Sequence, residues 1–265
     1  MSLQLDERRR AMLEEMGVRV FAPQRDASRV VDEAPPPPPL QAGEQADRRP
    51  AVTVHAQRIP QPHPALPSVA LSRSRISGIE GMEWEALQQA VAACQACKLC
   101  EGRRNTVFGV GDLQADWLVV GEAPGENEDL QGEPFVGQAG KLLDNMLGAL
   151  GVSRRSGAYI ANVLKCRPPG NRNPEPEEIA QCEPFLRRQV ELLRPKIILA
   201  MGRFAVQALL QTNEPIGRLR GRVHRYSDVP VVVTYHPAYL LRNLPDKAKA
   251  WADLCLAQAV LRERG

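Results

Sequence analysis

Four of the six cysteines in this 265-residue chain are spaced in a way that suits metal binding. Cys94 and Cys97 are separated by two residues, and Cys166 and Cys182 follow much later in the chain. A two-residue spacing lets both sulfurs face one ion, so the group predicts a metal centre and not a pair of disulfides. Thiolates suit an iron–sulfur cluster and a zinc ion equally, and the spacing alone leaves both open.

The segment enclosed by these cysteines contains a glycine-rich loop, GEAPG at residues 121–125. Its glycines permit close backbone approach to a ligand and turn amide N–H groups toward it. A dinucleotide-binding fingerprint would need G-x-G-x-x-G, which this loop lacks. Glu122, fixed between Gly121 and Pro124, is the best candidate for a working carboxylate, whereas most of the acids that follow it are expected to be solvated.

Two further polar residues stand where apolar runs end. Asn162 could read the edge of a base, because its amide donates and accepts hydrogen bonds together. His236 follows another apolar run, and only two histidines occur after residue 80. Ligands of open α/β sheets bind at the carboxyl ends of the strands, so both residues are expected to lie close to Glu122.

The elements that would position these residues alternate between strands and helices. Apolar runs predict buried strands at residues 116–120, 158–163, 196–201 and 229–234. Helical patterns occupy residues 84–93, 140–150, 176–193, 203–210 and 247–262. The alternation predicts an α/β fold, namely a three-layer α/β/α sandwich around a central four-stranded, mainly parallel sheet.

Residues 1–80 differ in composition from the rest of the chain and are interpreted as an N-terminal extension to a domain at residues 81–265. They contain nearly half of the 23 prolines and very few aromatic residues, so residues 23–77 are predicted to be a disordered linker. A helical pattern at residues 5–17 predicts a short terminal helix. That helix is either marginally ordered or a docking peptide for a protein partner.

The overall composition excludes some classes of function. The balance of 34 basic and 31 acidic residues excludes neither nucleic acid nor small-molecule partners, but a nearly neutral domain is unlike proteins that coat nucleic acid indiscriminately and can still carry a local basic face. It contains neither a long apolar run nor a secretory leader, so we expect no membrane association. Cysteines without an export signal suit a reducing compartment, and we therefore expect a cytoplasmic protein. A monomer is the default expectation for its oligomeric state.

Taken together, the motifs resemble those of the family 4 uracil-DNA glycosylases, the iron–sulfur branch of the uracil-DNA glycosylase superfamily. The resemblance covers about residues 85–260, and its motifs occur in order: CQACKL at 94–99, VFGVG at 107–111, GEAPGENED at 121–129, GEPFVGQAGKLLDNML at 132–147, NVLKCRPPGNRNP at 162–174 and HPAYLLR at 236–242. It implies a DNA repair enzyme of base excision repair, which flips uracil out of DNA, hydrolyses its N-glycosidic bond and leaves an abasic site.

The resemblance also implies a cofactor and its ligands. It assigns a [4Fe–4S] cluster to Cys94, Cys97, Cys166 and Cys182, and thereby favours iron over zinc. Such a cluster is expected to be structural, because glycosidic cleavage transfers no electrons. Cys100 and Cys255 stand outside the family pattern and are interpreted as bystanders.

For the base and the bond, the resemblance implies one role per residue. Phe135 would stack on the flipped uracil, and Asn162 would pair with its O4 and N3–H. Backbone N–H groups of Glu122 and Ala123 would help to fix the base, while His236 would stabilise the charge on the leaving uracil. Glu122 would either steady the sugar cation or orient water. Family 1 enzymes carry an aspartate where this chain has Ala123, so the water activator stays open, with Glu128 as a substitute.

Contacts to DNA need a wedge and phosphate-binding cations. The residues after His236 could enter the gap left by the base: Leu240, Leu241 and Arg242. The preferred phosphate site is the segment 217–222, with Arg218, Arg220 and Arg222. Three more cations are candidates for backbone contact: Lys165, Arg167 and Arg172.

Two other interpretations stay open. Some relatives trap uracil-DNA covalently and carry a histidine-containing insertion after the strand that ends at Asn162. This chain has CRPPGNRNPEPEE there, without histidine, which favours turnover. The other alternative is a nucleic-acid-binding factor that carries an iron–sulfur cluster or zinc, to which the proline-rich extension would recruit a partner.

Overall fold

The computed structural model describes residues 77–264 and the single residue Glu15. The predicted linker at residues 23–77 lies outside the described residues, except for its last residue, Ser77. The predicted helix at residues 5–17 also lies outside them, apart from Glu15. The division of the chain after residue 80 therefore stays a prediction.

Six strands form one mixed sheet in the order β1-β3-β2-β4-β6-β5. Their bounds are β1 Val110–Gly111, β2 Trp117–Gly121, β3 Ala158–Asn162, β4 Ile197–Met201, β5 Val223–Tyr226 and β6 Val229–Thr234. The four central strands run parallel, as predicted, and agree with the predicted ranges to within one residue at each end. The sheet is wider than predicted, because β1 and β5 pair antiparallel at its two edges.

Eight α-helices occur in the described part of the chain. They are α1 Trp84–Ala93, α2 Glu126–Gln131, α3 Gln138–Ala149, α4 Pro176–Leu193, α5 Arg203–Leu210, α6 Ile216–Leu219, α7 Pro237–Arg242 and α8 Lys247–Arg262. The predicted bounds of α1, α4, α5 and α8 are confirmed, while α3 begins two residues before its prediction. The short helices α2, α6 and α7 were not predicted.

The helices cover both faces of the sheet, which confirms the three-layer architecture. On one face, Leu143 of α3 and Leu254 of α8 belong to the same buried cluster as Val119 of β2. On the other, Leu186 of α4 and Val206 of α5 share a cluster with neighbouring residues of the same strands. Strands buried on both faces need apolar residues at nearly every position, and β2, β3 and β4 are buried throughout.

The strand register brings the predicted site residues to one edge of the sheet. Gly121 at the end of β2 is paired with Asn162 at the end of β3. On the other side, Met201 at the end of β4 is paired with Thr234 at the end of β6. Glu122 follows β2 directly and His236 follows β6 after one residue, so the three predicted side chains follow the ends of β2, β3 and β6 at the same edge, with β4 between β2 and β6.

None of the helices in residues 77–264 has both the length and the apolar content needed to cross a membrane. The cytoplasmic location stays a prediction.

Candidate functional site

A cavity of about 980 Å³ opens at this edge of the sheet. Its lining includes all five residues predicted to contact substrate: Glu122, Ala123, Phe135, Asn162 and His236. Arg242 also lines it. Four residues predicted to contact DNA do not belong to this lining in the described part of the chain: Leu241, Arg218, Arg220 and Arg222.

The Glu122 carboxylate is held at the N-terminus of α5. Its Oε1 accepts a hydrogen bond from the backbone N–H of Phe204 at 3.1 Å. Burial raises the pKa of Glu122 above its usual value of 4.5, and this effect exceeds the lowering by the N–H groups of Phe204 and Arg203. The result is a fixed carboxyl group that gains its proton more readily than an exposed glutamate.

Gly121 is required by the packing of two site residues. A Cβ at this position would lie 2.6 Å from ring carbons of Phe135 and would overlap Oδ1 of Asn162. The glycine-rich sequence predicted close approach of a ligand to this loop. The structure gives Gly121 a different function, since its missing side chain lets the phenyl ring and the amide lie side by side at the end of β2.

Phe135 is held in a strained backbone conformation. Its φ of 56° lies in the left-handed region, which bulky residues rarely adopt. Its carbonyl accepts a hydrogen bond from Arg154 Nη2 at 2.9 Å, and Gly140 of α3 leaves the space that this carbonyl occupies. Arg154 also contacts the Asp144 carboxylate, with Nε 2.9 Å from Oδ1. The sequence carried no signal for this role of Arg154.

Glu128 ties two loops of the site together. Its carboxylate accepts hydrogen bonds from the backbone N–H groups of Gly125 at 3.0 Å, Val136 at 3.0 Å and Gly137 at 3.3 Å. The glycine-rich loop and the loop that carries Phe135 are thus joined through one side chain. These bonds occupy the carboxylate of Glu128, a candidate water activator, and they give it a positioning role.

His236 is neutral and has a defined tautomer. Its Nδ1 accepts a hydrogen bond from the backbone N–H of Ala238 at 3.2 Å, so the ring proton resides on Nε2. Burial lowers the pKa of His236 from 6.5 to about 4, and the nearby Arg242 adds to this effect. At neutral pH the imidazole therefore offers an uncharged N–H donor.

Asn162 is connected to a buried lysine. Its backbone carbonyl accepts a hydrogen bond from Lys165 Nζ at 2.8 Å, and the same ammonium group donates to Gln189 Oε1 at 2.6 Å. Burial lowers the pKa of Lys165 to about 7, whereas charge on Cys182 and Cys166 opposes that shift. The prediction that Lys165 contacts the DNA backbone is wrong, because its side chain is enclosed in the protein.

The four predicted ligand cysteines line a second, smaller cavity, and Cys100 lies in the same lining. No disulfide joins any of the cysteines in residues 77–264. Burial raises the pKa of Cys166 to about 11 and also raises the pKa of Cys182, so bare thiolates would be unstable there. Arg103 Nη1 donates to Cys166 Sγ at 3.2 Å. Sulfur donors beside the Arg103 cation are chemically suited to bind a metal cluster as thiolates.

The side chains in the described region do not form a ready-made metal site of three or more His, Cys, Asp or Glu ligands. The structure thus shows a cavity shared by the four cysteines and the chemistry of its sulfur donors.

Arg220 faces the protein and not the solvent. Its guanidinium binds the buried carboxylate of Asp253 with two hydrogen bonds, Nη2 to Oδ1 at 2.9 Å and Nε to Oδ2 at 3.0 Å. It also donates to the Lys249 carbonyl and lies 5.3 Å from the ring centroid of Tyr235. Because the Arg220 guanidinium is engaged in these contacts, it is poorly placed to bind a DNA phosphate. Arg218 and Arg222, in the same segment, are exposed.

The residues after His236 divide into core and surface. Leu240 is fully buried in α7, so the prediction that it enters the DNA is wrong. Leu241 is 41% exposed and Arg242 is exposed beside it. Leu244, in the following turn, is a further exposed apolar residue, and it was not predicted from the sequence.

Comparison with known proteins identifies the family. The model of the uracil DNA glycosylase superfamily matches residues 108–255. The chain is 46% identical over 159 residues to the type-4 uracil-DNA glycosylase of Archaeoglobus fulgidus, an alignment that covers 57% of this chain and 79% of the relative. It is 44% identical to that of Saccharolobus solfataricus, covering 61% and 78%, and 40% identical to that of Thermotoga maritima, covering 68% and 96%. The chain therefore belongs to the uracil-DNA glycosylase superfamily and, within it, to the type-4 uracil-DNA glycosylases.

Proposed function

We propose that this protein hydrolyses the N-glycosidic bond of deoxyuridine in DNA, releasing uracil and leaving an abasic site. The observation that carries the proposal is the convergence of Glu122, Asn162 and His236 on one cavity beside Phe135. Two relatives that align over 79% and 96% of their own length are named type-4 uracil-DNA glycosylases. Their names support the same substrate and reaction for this chain.

Recognition of uracil requires the nucleotide to leave the base stack, at a cost of a few kcal/mol. Phe135 offers a ring face in the cavity wall, and the base stacks there. The Asn162 amide then donates to O4 and accepts from N3–H. Cytosine presents the opposite pattern of donor and acceptor, so the same amide rejects it.

Cleavage moves the electron pair of the glycosidic bond onto N1 of uracil, and the sugar becomes electron-poor. The neutral His236 donates from Nε2 to O2 and stabilises the negative charge that develops on the base. The Glu122 carboxylate stabilises the sugar cation and accepts a proton as water adds to the anomeric carbon. The uracil anion then takes up a proton from solvent, and the products are uracil and an abasic site.

We further propose that Cys94, Cys97, Cys166 and Cys182 hold a [4Fe–4S] cluster. When bound, such a cluster cross-links distant segments, and hydrolysis requires no electron transfer from it. Segment 94–97 precedes β2 and Cys166 follows β3, so the cysteines connect the two strands that carry Glu122 and Asn162. A visible absorbance band with bound iron would distinguish this cluster from zinc, which is colourless.

The proposed partner is uracil-containing DNA. Leu241 is the proposed wedge, and Arg242, Arg218 and Arg222 are the proposed phosphate contacts, because all four are exposed. The monomeric state and a protein partner for residues 1–80 stay part of the proposal.

The decisive experiment incubates the full-length protein with an oligonucleotide that contains one uracil, and measures free uracil. A matched oligonucleotide with thymine at that position is the control. We expect release of uracil only from the first substrate. A stable protein–DNA adduct on a denaturing gel would instead indicate covalent trapping, and binding with neither product would indicate a non-enzymatic factor.

A further inference from the structure

We propose that Lys165 is a positioning residue for uracil recognition, which holds the backbone of Asn162 in place from the side of the cysteine cavity. The inference rests on the proposed function, since it concerns how the recognition amide is aimed. Lys165 lies outside the base cavity and contacts neither the base nor the sugar in that scheme.

The geometry is a short chain of hydrogen bonds. Lys165 Nζ donates to the Asn162 carbonyl at 2.8 Å and to Gln189 Oε1 at 2.6 Å. Gln189 in turn donates from Nε2 to the Phe108 carbonyl at 3.0 Å. Lys165 is 1% exposed and Gln189 is fully buried, so both side chains have a single environment.

The carbonyl of Asn162 needs such a donor because β3 ends there. The next two residues continue alongside the glycine-rich loop: Val163 N–H donates to the Gly121 carbonyl at 3.0 Å, and Leu164 N–H donates to the Glu122 carbonyl at 3.1 Å. Lys165 folds back by three residues and caps the last carbonyl of the strand. The peptide plane after Asn162 is thereby fixed, and with it the direction of the Asn162 side chain.

The same lysine faces the cysteines. Lys165 lines the cysteine cavity and precedes Cys166 in sequence. Arg103 lies in the same lining, but its guanidinium donates to Cys166 Sγ at 3.2 Å and to the Ala92 carbonyl at 3.0 Å. Of the two cations in this lining, Lys165 is the one bonded to Asn162, so a change there is transmitted to the base cavity.

The test uses full-length, iron-loaded protein with Lys165→Met, and Lys196→Met as the matched control. Lys196 forms a half-exposed ion pair with Asp116 at 3.3 Å. Iron content and the visible spectrum report the cluster. Binding is measured to one oligonucleotide with 2′-fluorodeoxyuridine, which resists cleavage, and to another with a tetrahydrofuran abasic analogue.

For Lys165→Met we expect wild-type iron content, unchanged affinity for the abasic analogue, and a loss of about tenfold in the preference for the uracil-containing strand, because small misplacements of a recognition group are costly. Lys196→Met should match the wild type in all three. An iron-loaded Lys165→Met protein with an undiminished uracil preference would overturn the inference.

If Lys165→Met loses its iron, Gln189→Leu provides the second test. This change leaves the lysine and all cysteines in place and removes the acceptor that holds the ammonium group. We expect a loss of about threefold in uracil preference with iron retained, a smaller effect because Lys165 keeps its bond to the Asn162 carbonyl and loses only the one to Gln189; an unchanged preference contradicts the inference. Failure of the wild-type protein to release uracil would refute the proposed function instead, which separates the two outcomes.

Discussion

The rings of Phe135 and His236 are stacked, with centroids 5.3 Å apart and planes inclined by 26°. The imidazole is thus oriented from two sides, by the phenyl ring and by the N–H of Ala238 at Nδ1. The surface proposed to bind the base and the group proposed to donate to it form one packed unit. Displacing either ring should therefore affect both recognition and bond cleavage.

Replacing His236 by alanine should remove the donor to the leaving base. We expect single-turnover uracil release to slow by about 10²–10³-fold, as is usual for the loss of one such donor. Affinity for abasic DNA should stay within about twofold, since the interaction is proposed to be with the leaving base, which such DNA lacks. The control is His224→Ala, because His224 is bonded to the Leu219 carbonyl at 2.7 Å and belongs to the edge strand β5. Equal rates in the two variants would contradict the assignment.

The pH dependence of uracil release should follow Glu122. Burial raises its pKa above 4.5, so the active carboxylate is lost as the pH falls through that raised value. The pKa of His236 is lowered to about 4, so the imidazole stays neutral while Glu122 titrates. Single-turnover rates should therefore decline on the acid side in the wild type, whereas Glu122→Gln should be slow and insensitive to pH. An acid limb near pH 6.5 that persists in Glu122→Gln would indicate histidine titration instead.

Gly121→Ala should disable the site without adding any polar group. The new methyl group would collide with Phe135 and Asn162, and we expect uracil release to fall by about a hundredfold or more because both recognition groups are displaced. Gly148→Ala is the matched control, since a Cβ there meets nothing within 4 Å and lies in α3. The control should keep full activity and gain about 0.5–1 kcal/mol in stability. A fully active Gly121→Ala protein would be inconsistent with the packing described.

Removing one proposed cluster ligand should bleach the protein. We expect Cys182→Ser to lose bound iron and the visible band, and to unfold at a lower temperature, because a buried thiolate ligand is replaced by an unmatched hydroxyl. Cys255→Ser, at an exposed position of α8, should retain both iron and colour. Iron content by elemental analysis and thermal unfolding give two readouts that do not depend on activity. An unchanged spectrum in Cys182→Ser would exclude it as a ligand.

Of the three arginines in residues 217–222, we expect two to contribute to DNA binding and one to the stability of the fold. Arg218→Ala and Arg222→Ala should each reduce the slope of log affinity against log salt by about one unit, since each removes one phosphate contact. Arg220→Ala should instead destabilise the fold by about 3–5 kcal/mol, because it leaves the Asp253 carboxylate buried and unpaired. Salt titrations of DNA binding and denaturant unfolding distinguish the cases. A reduced salt slope with normal stability in Arg220→Ala would reverse the assignment.

The parallel core of the sheet was predictable because its strands are apolar throughout. The edge strands were not, for physical reasons. β1 has two residues, Val110 and Gly111, which is too short for any periodicity. β5 is polar and only partly buried, with the sequence VHRY, so its pairing with β6 depends on the turn between them and not on burial.

Within the site, residues at strand ends were predictable and their supports were not. Glu122, Asn162 and His236 follow from the rule that ligands bind where parallel strands end. Arg154 donates a hydrogen bond to the Phe135 carbonyl, and Lys165 donates one to the Asn162 carbonyl. Nothing in the sequence indicates either of these contacts. Arg220 shows the same limit, because its partner Asp253 is brought near only by the folding of α8 against β6.

The order of the site residues along the chain has a consequence for biosynthesis. A ribosome completes β2 and β3, with Glu122 and Asn162, well before it reaches β6 and His236. Strand β4 pairs with β2 and is made next, and β6 joins the sheet last by pairing with β4, so this long-range pairing comes late. A nascent chain consequently presents the proposed recognition amide before it possesses the proposed leaving-group donor, and the complete site arises only once the last strand has joined the sheet.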